Sequence, residues 1–173
     1  MKNVVLIGFM GTGKTSVGRL LAARLGCSFH DLDKKIEERC GMSIPAMFAK
    51  HGEPYFRARE KEAVHDAAGR TRLVIATGGG TVKDPENVAL LRQNGILVAL
   101  TADIDTILAR TAAYGARPVL DNADAGDRRA AIAQLLKERS GLYEGADLTV
   151  DTTGRSPLEI AEHIVQASRI WRK

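Results

Sequence analysis

Cysteine is scarce in this chain. Only Cys27 and Cys40 occur, with no C-x-x-C between them. That excludes a disulfide scaffold and a cysteine-rich zinc module, and makes a reducing cytoplasm the expected location. His30, His51, His65 and His163 have no metal-ligand spacing, and no Ser-His-Asp constellation is suggested. Aromatic residues are only 5% of the chain, too few for a base-stacking platform. No run of Lys and Arg exceeds two residues, and the net charge is a mild +4. Scattered among acids, these residues argue against nucleic acid as the partner; an anionic small substrate fits the basic excess about as well. No apolar run approaches the roughly 20 residues of a membrane span. The apolar start, Met1 to Met10, runs straight into Gly11-Thr12-Gly13-Lys14 with no small-residue cleavage site, so it reads as mature protein.

What is present is ordinary in amount. The 173 residues are 45% hydrophobic and 27% charged, as expected of one globular domain spanning 1–173. Short apolar runs alternate with helical patterns. Val4–Ile7, Leu73–Ala76 and Ile96–Leu100 read as strands buried on both faces, with weaker strands at Cys27–Asp31 and Asp147–Asp151. Val17, Leu20, Leu21 and Leu25 form an apolar helical stripe closed by Gly26. Helices are also expected at Ser43–Lys50 and Pro54–Ala68, and between Asp84-Pro85 and Asn94-Gly95. Ser156-Pro157-Leu158-Glu159 has capping-box spacing ahead of a C-terminal helix. The alternation predicts a three-layer α/β fold. Residues 112–126 lack periodicity and read as a functional loop or lid.

The chemistry starts at Gly8-Phe9-Met10-Gly11-Thr12-Gly13-Lys14-Thr15, which fits G-x-x-x-x-G-K-[ST] between a strand and a helix. Backbone N–H groups and the helix N-terminus would converge on phosphate oxygens. Lys14 is expected to reach the β- and γ-phosphates, and the Thr15 hydroxyl to hold Mg²⁺. An [NT]KxD guanine motif is missing, which argues against a GTPase. A strand ending in an Mg²⁺-binding Asp is missing too.

Asp31-Leu32-Asp33 closes the second expected strand. In extended chain, residues i and i+2 share a side, so both carboxylates could face the ligand crevice. The plainer alternative, that one Asp caps a helix starting near Lys34, carries equal weight. Gly78-Gly79-Gly80 follows a buried strand, where a ligand could approach the backbone; a tight turn explains it equally well.

Taken together, these segments resemble the shikimate kinase family over nearly the whole chain. Beyond the phosphate loop, the resemblance is carried by Phe29-His30-Asp31-Leu32-Asp33, by Gly41-Met42-Ser43-Ile44 and by Gly52-Glu53-Pro54-Tyr55-Phe56-Arg57-Ala58-Arg59-Glu60. It continues in Ala76-Thr77-Gly78-Gly79-Gly80, Arg117-Pro118-Val119-Leu120 and Arg139-Ser140-Gly141-Leu142-Tyr143. The F-R-x-x-E and T-G-G-G elements are more specific than the phosphate loop.

The resemblance implies a nucleoside-monophosphate-kinase type of fold with a parallel sheet ordered 2-3-1-4-5. It also implies ATP-dependent phosphorylation of the shikimate 3-hydroxyl, on the route to chorismate and the aromatic amino acids. By the same resemblance, Asp33, Arg57, Gly79, Gly80 and Arg139 are shikimate contacts, from helices in about 33–61 and from the segments after them. Gly11, Thr12, Gly13, Lys14, Thr15 and Ser16 resemble the ATP phosphate loop. Thr15 and Asp31 look like the Mg²⁺ partners, Arg117 the lid arginine, and Arg110 and Arg155 adenine-side contacts. The catalytic set implied is Lys14, Asp33 and Arg117; separately, a monomer is expected. Where many family members have Ser-Thr, this chain has Thr15-Ser16, which keeps a hydroxyl.

Physical chemistry is consistent with these roles. Guanidinium forks suit the shikimate carboxylate, and Arg57 and Arg139 supply two from separate helices. Asp33 would orient the attacking hydroxyl or take its proton. Arg59 is expected off the substrate, paired with Glu62 or Glu38. Trp171 reads as a packing residue. Two alternatives stay open: a P-loop kinase for another acceptor, such as gluconate or a nucleoside monophosphate, and a non-catalytic nucleotide- or nucleic-acid-binding module.

Overall fold

The computed structural model describes residues 1–112 and 125–171. Five strands form one sheet: β1 (Asn3–Gly8), β2 (Ser28–Asp31), β3 (Leu73–Ala76), β4 (Gly95–Thr101) and β5 (Leu148–Asp151). All pairings are parallel and the order is β2-β3-β1-β4-β5. The helices are α1 (Lys14–Leu25), α2 (Leu32–Cys40), α3 (Ile44–His51), α4 (Glu53–Ala68), α5 (Pro85–Asn94), α6 (Ile104–Ala112), α7 (Ala125–Tyr143) and α8 (Pro157–Trp171).

Alternation along the strands sorts the apolar residues into two layers. Val5, Ile7, Ile75, Leu97 and Ala99 pack under α2, α3, α4 and α5, against Ile36, Met47, Val64 and Leu91. Val4, Leu6, Val74, Val98 and Leu100 pack under α1 and α8, against Val17, Leu21, Ile160 and Ile164. The side chain of Asn3 pins β1 to β3 at the opposite end of the sheet from the site. Its amide donates to Arg70 O at 2.8 Å, and its oxygen accepts from the Leu73 N–H at 2.9 Å.

Local signals hold at most ends. Gly26 closes α1 in the left-handed region, φ 62°. Asp84 caps α5 through the Glu86 N–H. Ser156 and Glu159 form a reciprocal capping box, at 3.2 and 2.7 Å. Leu20, expected in the buried stripe of α1, is instead 37% exposed; the face that packs on the sheet runs through Val17, Gly18, Leu21 and Ala22. At Gly18 an added Cβ would lie 2.4 Å from the Phe29 ring, which is why the helix can sit so close. The expected 112–126 loop is bracketed by helices: Ala112 ends α6 and α7 begins at Ala125. Arg117 and the rest of 113–124 lie outside the described residues.

Register brings the C-terminal strand ends together. Asp31 is level with Ala76, Gly8 with Leu100, and Thr101 with Asp151. The loops that leave these ends carry Gly11, Thr12, Gly13, Gly79, Gly80 and Arg155, while Lys14, Thr15, Ser16, Asp33, Arg57, Arg110 and Arg139 stand on helices.

Candidate active site

The phosphate loop is shaped by glycines that a side chain would break. Gly8 has φ 146°, and a Cβ there would lie 2.3 Å from Leu100 O. Gly11 and Gly13 have φ 76° and 97°. Gly13 is the N-cap of α1 and offers no side-chain cap. The first N–H groups of α1 are therefore left for an anion. Lys14 is buried, and its Nζ donates to Gly8 O (2.7 Å) and Phe9 O (2.8 Å), so the ammonium lies along the loop's own carbonyls. Thr12 also donates to Phe9 O at 2.8 Å, while Ser16 is exposed.

On the far side of the loop, Arg110 ties Gly11 to the turn after β5. Its guanidinium donates to Gly11 O (3.2 Å), Thr152 Oγ1 (3.0 Å) and Thr152 O (3.0 Å). Arg155 is bound to backbone oxygens of Asp151 and Glu159, at 3.3 and 3.4 Å.

The acidic pair is close to the loop, but not by the route expected. β2 ends at Asp31, and Asp33 stands in the first turn of α2, so the extended-chain argument for a shared side does not apply. Asp31 does two jobs. Its Oδ1 caps α2 by accepting from the Lys34 N–H (3.3 Å), and its Oδ2 accepts from Thr15 Oγ1 (2.8 Å). The helix it caps starts at Leu32 rather than near Lys34. Asp33 Oδ1 is buried, with no hydrogen-bond partner among the described residues. Burial first, then the negative charges of Asp31 and Glu60, push its carboxyl up to about 6; Lys14 pulls the other way.

The third group gathers around Gly78-Gly79-Gly80. None of the three has a positive φ; what they provide is room. A Cβ on Gly78 would lie 2.8 Å from Asp33 Oδ1, and one on Gly80 would lie 2.8 Å from Arg57 Nη2. Gly79 O accepts from Arg139 Nη1 (3.3 Å) and Tyr143 Oη (3.2 Å), one turn apart on α7. Arg139 is buried at 8% exposure, with its guanidinium over the Phe9 ring of the phosphate loop. Arg57, on α4, donates from Nη1 to Glu60 Oε1 (2.8 Å) and from Nε and Nη2 to Glu53 Oε1 (3.2 Å each). Burial acts to lower the Arg57 pKa, but these acidic partners outweigh it and raise it. Arg59 turns away and pairs with Glu62 (3.1 Å), one of its two expected partners; Glu38 pairs with Lys35.

Glu60 is the residue whose role sequence reasoning missed. At 2% exposure it is among the buried charged groups, and it sits one turn beyond Arg57 on the same helix. The i, i+3 spacing inside F-R-x-x-E was the available signal. Tyr143 had a similar one, i+4 from Arg139.

A parallel sheet in this order, with a G-x-x-x-x-G-K-[ST] cradle at the strands' C-terminal ends, is a P-loop nucleotide-binding fold. The model of one such family, shikimate kinase, matches residues 10–169, and the chain belongs to that family. It is 48% identical over 164 residues to the shikimate kinase of Geobacter metallireducens, covering 95% of this chain and 90% of that one. It is 49% identical over 165 residues to the shikimate kinase of Pelotomaculum thermopropionicum, covering 95% and 94%. Among solved structures, shikimate kinase from Acinetobacter baumannii in complex with shikimate superposes with a TM-score of 0.90 at 39% identity, covering 96% of this chain and 92% of that one.

Proposed function

We infer that this chain transfers the γ-phosphoryl group of ATP to the 3-hydroxyl of shikimate, giving shikimate 3-phosphate and ADP, a step of aromatic amino-acid biosynthesis by way of chorismate. The observation that carries this reading is the meeting of two arginines from different helices, Arg57 and Arg139, at one glycine loop beside the phosphate cradle.

Phosphoryl transfer asks for positioning and for charge stabilisation. The α1 N-terminus and the N–H groups of Gly11, Thr12, Gly13, Thr15 and Ser16 hold the phosphates. Lys14 exchanges its carbonyl partners for the β- and γ-phosphate oxygens. Arg57 and Arg139 bind the shikimate carboxylate as planar forks. Their partners supply order: Glu60 and Glu53 orient Arg57, and Gly79 O with the Phe9 ring orients Arg139. Gly79 and Gly80 let the acceptor reach the backbone. Asp33 accepts the hydrogen bond of the attacking hydroxyl and takes its proton on the carboxylate, whose Oδ1 is packed against Gly78.

Thr15 Oγ1 and Asp31 Oδ2, 2.8 Å apart, are a hard-oxygen pair beside the phosphate loop and fit Mg²⁺. The ion, when bound, neutralises phosphate charge. Arg117 is assigned to the lid, and Arg110 and Arg155 to the adenine side. Residues 1–173 are read as one kinase domain, monomeric and cytoplasmic.

The test is ADP release from ATP with shikimate, with gluconate, with a nucleoside monophosphate and with no acceptor. Turnover with shikimate alone supports the assignment. Equal turnover with another acceptor, or none with shikimate, overturns it.

A further inference from the structure

The buried carboxylate of Glu60 needs a donor on each oxygen. Arg57 supplies one to Oε1, and Thr81 Oγ1 supplies the other to Oε2 at 2.8 Å. Thr81 has 0% exposure and opens a short 3₁₀ turn, Thr81–Lys83, directly after the glycine loop. Its backbone is held at both ends. The Thr81 N–H donates to Gly78 O at 3.2 Å, and Thr81 O accepts from the buried Asn87 side chain on α5 at 3.1 Å. The position that a Gly78 Cβ would fill lies 2.8 Å from Asp33 Oδ1, 3.2 Å from Glu60 Oε2 and 3.2 Å from Thr81 Oγ1. Two acidic oxygens and one hydroxyl therefore crowd around one glycine.

We propose that Thr81 is a positioning residue for the acceptor: its hydroxyl holds Glu60 Oε2, so that Oε1 stays committed to Arg57 and the guanidinium fork stays aimed at the substrate carboxylate. The inference rests on the assignment of Arg57 to shikimate. Without the hydroxyl, Glu60 Oε2 is left buried and unpaired beside Asp33 Oδ1. The Glu60 side chain then turns toward other donors and releases its grip on Arg57. A neutral donor on a charged acceptor is worth up to about a hundredfold. Part of that is recovered by relaxation, so the effect on the acceptor is set at roughly tenfold, about 1.4 kcal/mol.

The experiment compares Thr81→Val, which keeps shape and loses the hydroxyl, with Thr81→Ser, which keeps the hydroxyl and loses a methyl. Thr81→Ala stands in if the Val protein does not fold. The expected result is a roughly tenfold higher KM for shikimate in Thr81→Val, with the KM for ATP within about twofold of the parent, and recovery of most of the loss in Thr81→Ser. A merely structural threonine would lower the melting temperature and move both KM values together, or neither; either outcome overturns the proposal. So does a Thr81→Ser protein as impaired as Thr81→Val. Arg57→Ala, measured alongside, separates the two levels. If it spares shikimate use, the Arg57 assignment is wrong and this inference falls with it. If it impairs shikimate use while Thr81→Val does not, only the role of Thr81 is refuted.

Discussion

The nucleotide end and the acceptor end of this site are built on different plans. The phosphate loop is eight consecutive residues whose shape is backbone: three glycines at positive φ, a helix N-terminus, and one lysine folded onto the loop's carbonyls. The acceptor end draws on α2, α4, the glycine loop and α7, and its shape is side chain: Arg57 on Glu60, Glu60 on Thr81, Arg139 on Gly79 O. A backbone-built site fails by misfolding. A side-chain-built site fails by losing one substrate while the fold and the other substrate survive.

Glycine substitutions at the two ends give the sharpest contrast. Gly8→Ala places a Cβ 2.3 Å from Leu100 O, a backbone atom of the neighbouring strand that cannot swing away, at a φ of 146°. The expected loss exceeds about 4 kcal/mol and the protein should be largely insoluble or unfolded, as read by circular dichroism. A soluble, active Gly8→Ala protein would mean the β1–β4 register yields more easily than the sheet indicates.

Arg57→Ala comes next. Truncating one partner of a buried charge pair costs about 2–5 kcal/mol, here read as roughly 30- to several-thousand-fold in kcat/KM for shikimate. ADP affinity by calorimetry should be unchanged, and Arg59→Ala should be milder, because Arg59 pairs outward with Glu62. Loss of ADP affinity with an intact shikimate KM would move Arg57 to the nucleotide end. Gly80→Ala should do less. Its Cβ would lie 2.8 Å from Arg57 Nη2, the far end of a flexible side chain, so the fold survives and the fork is pushed aside. A misplacement of that size is set at roughly ten- to hundredfold in kcat/KM for shikimate, with ATP binding spared.

The same division explains what was legible from sequence. The phosphate loop was readable because its geometry is local: the glycine spacing, the strand before it and the helix after it are contiguous. The strand order of the sheet came with the family resemblance, whereas the strands themselves were visible as runs apolar on both faces. At the acceptor end the residues could be named but not their wiring. Asp33 was placed by an extended-chain rule that β2 does not obey, because Asp31 ends the strand by capping a helix. The three glycines were read as room for a ligand at the backbone or as a tight turn; the structure adds that Gly78 and Gly80 give clearance to Asp33 and Arg57, which arrive from elements 20 and more residues away in sequence. Thr81 carried no signal, since one threonine after a glycine run has no period and no partner until α4 is folded against it.

The smallest expected effect on stability comes from the Asp33 carboxyl at the acceptor end. That carboxyl is raised from an ordinary 3.8 to about 6, chiefly by burial and then by Asp31 and Glu60. A raised carboxylate is a cost to the folded state whenever it is ionised. Between about 3.8 and 6 the folded chain keeps a proton that the unfolded chain has released, so this group makes stability fall as pH rises through that window. Below the window the contribution vanishes, and above it the full cost remains. Asp33→Asn removes the charge and nearly preserves the shape. It should therefore melt close to the parent at pH 4, and above it by about 1–3 kcal/mol, a few degrees, from pH 7 upward. Turnover should collapse in the same protein, because an amide cannot take the hydroxyl proton as the carboxylate does. Thermal melts of both proteins across pH 4 to 8 measure the difference directly. An Asp33→Asn protein no more stable than its parent at pH 8 would mean that the folded chain supplies Asp33 with a compensating cation. The acceptor end would then carry no ionisation cost, and its side-chain build would set it apart from the nucleotide end by geometry alone.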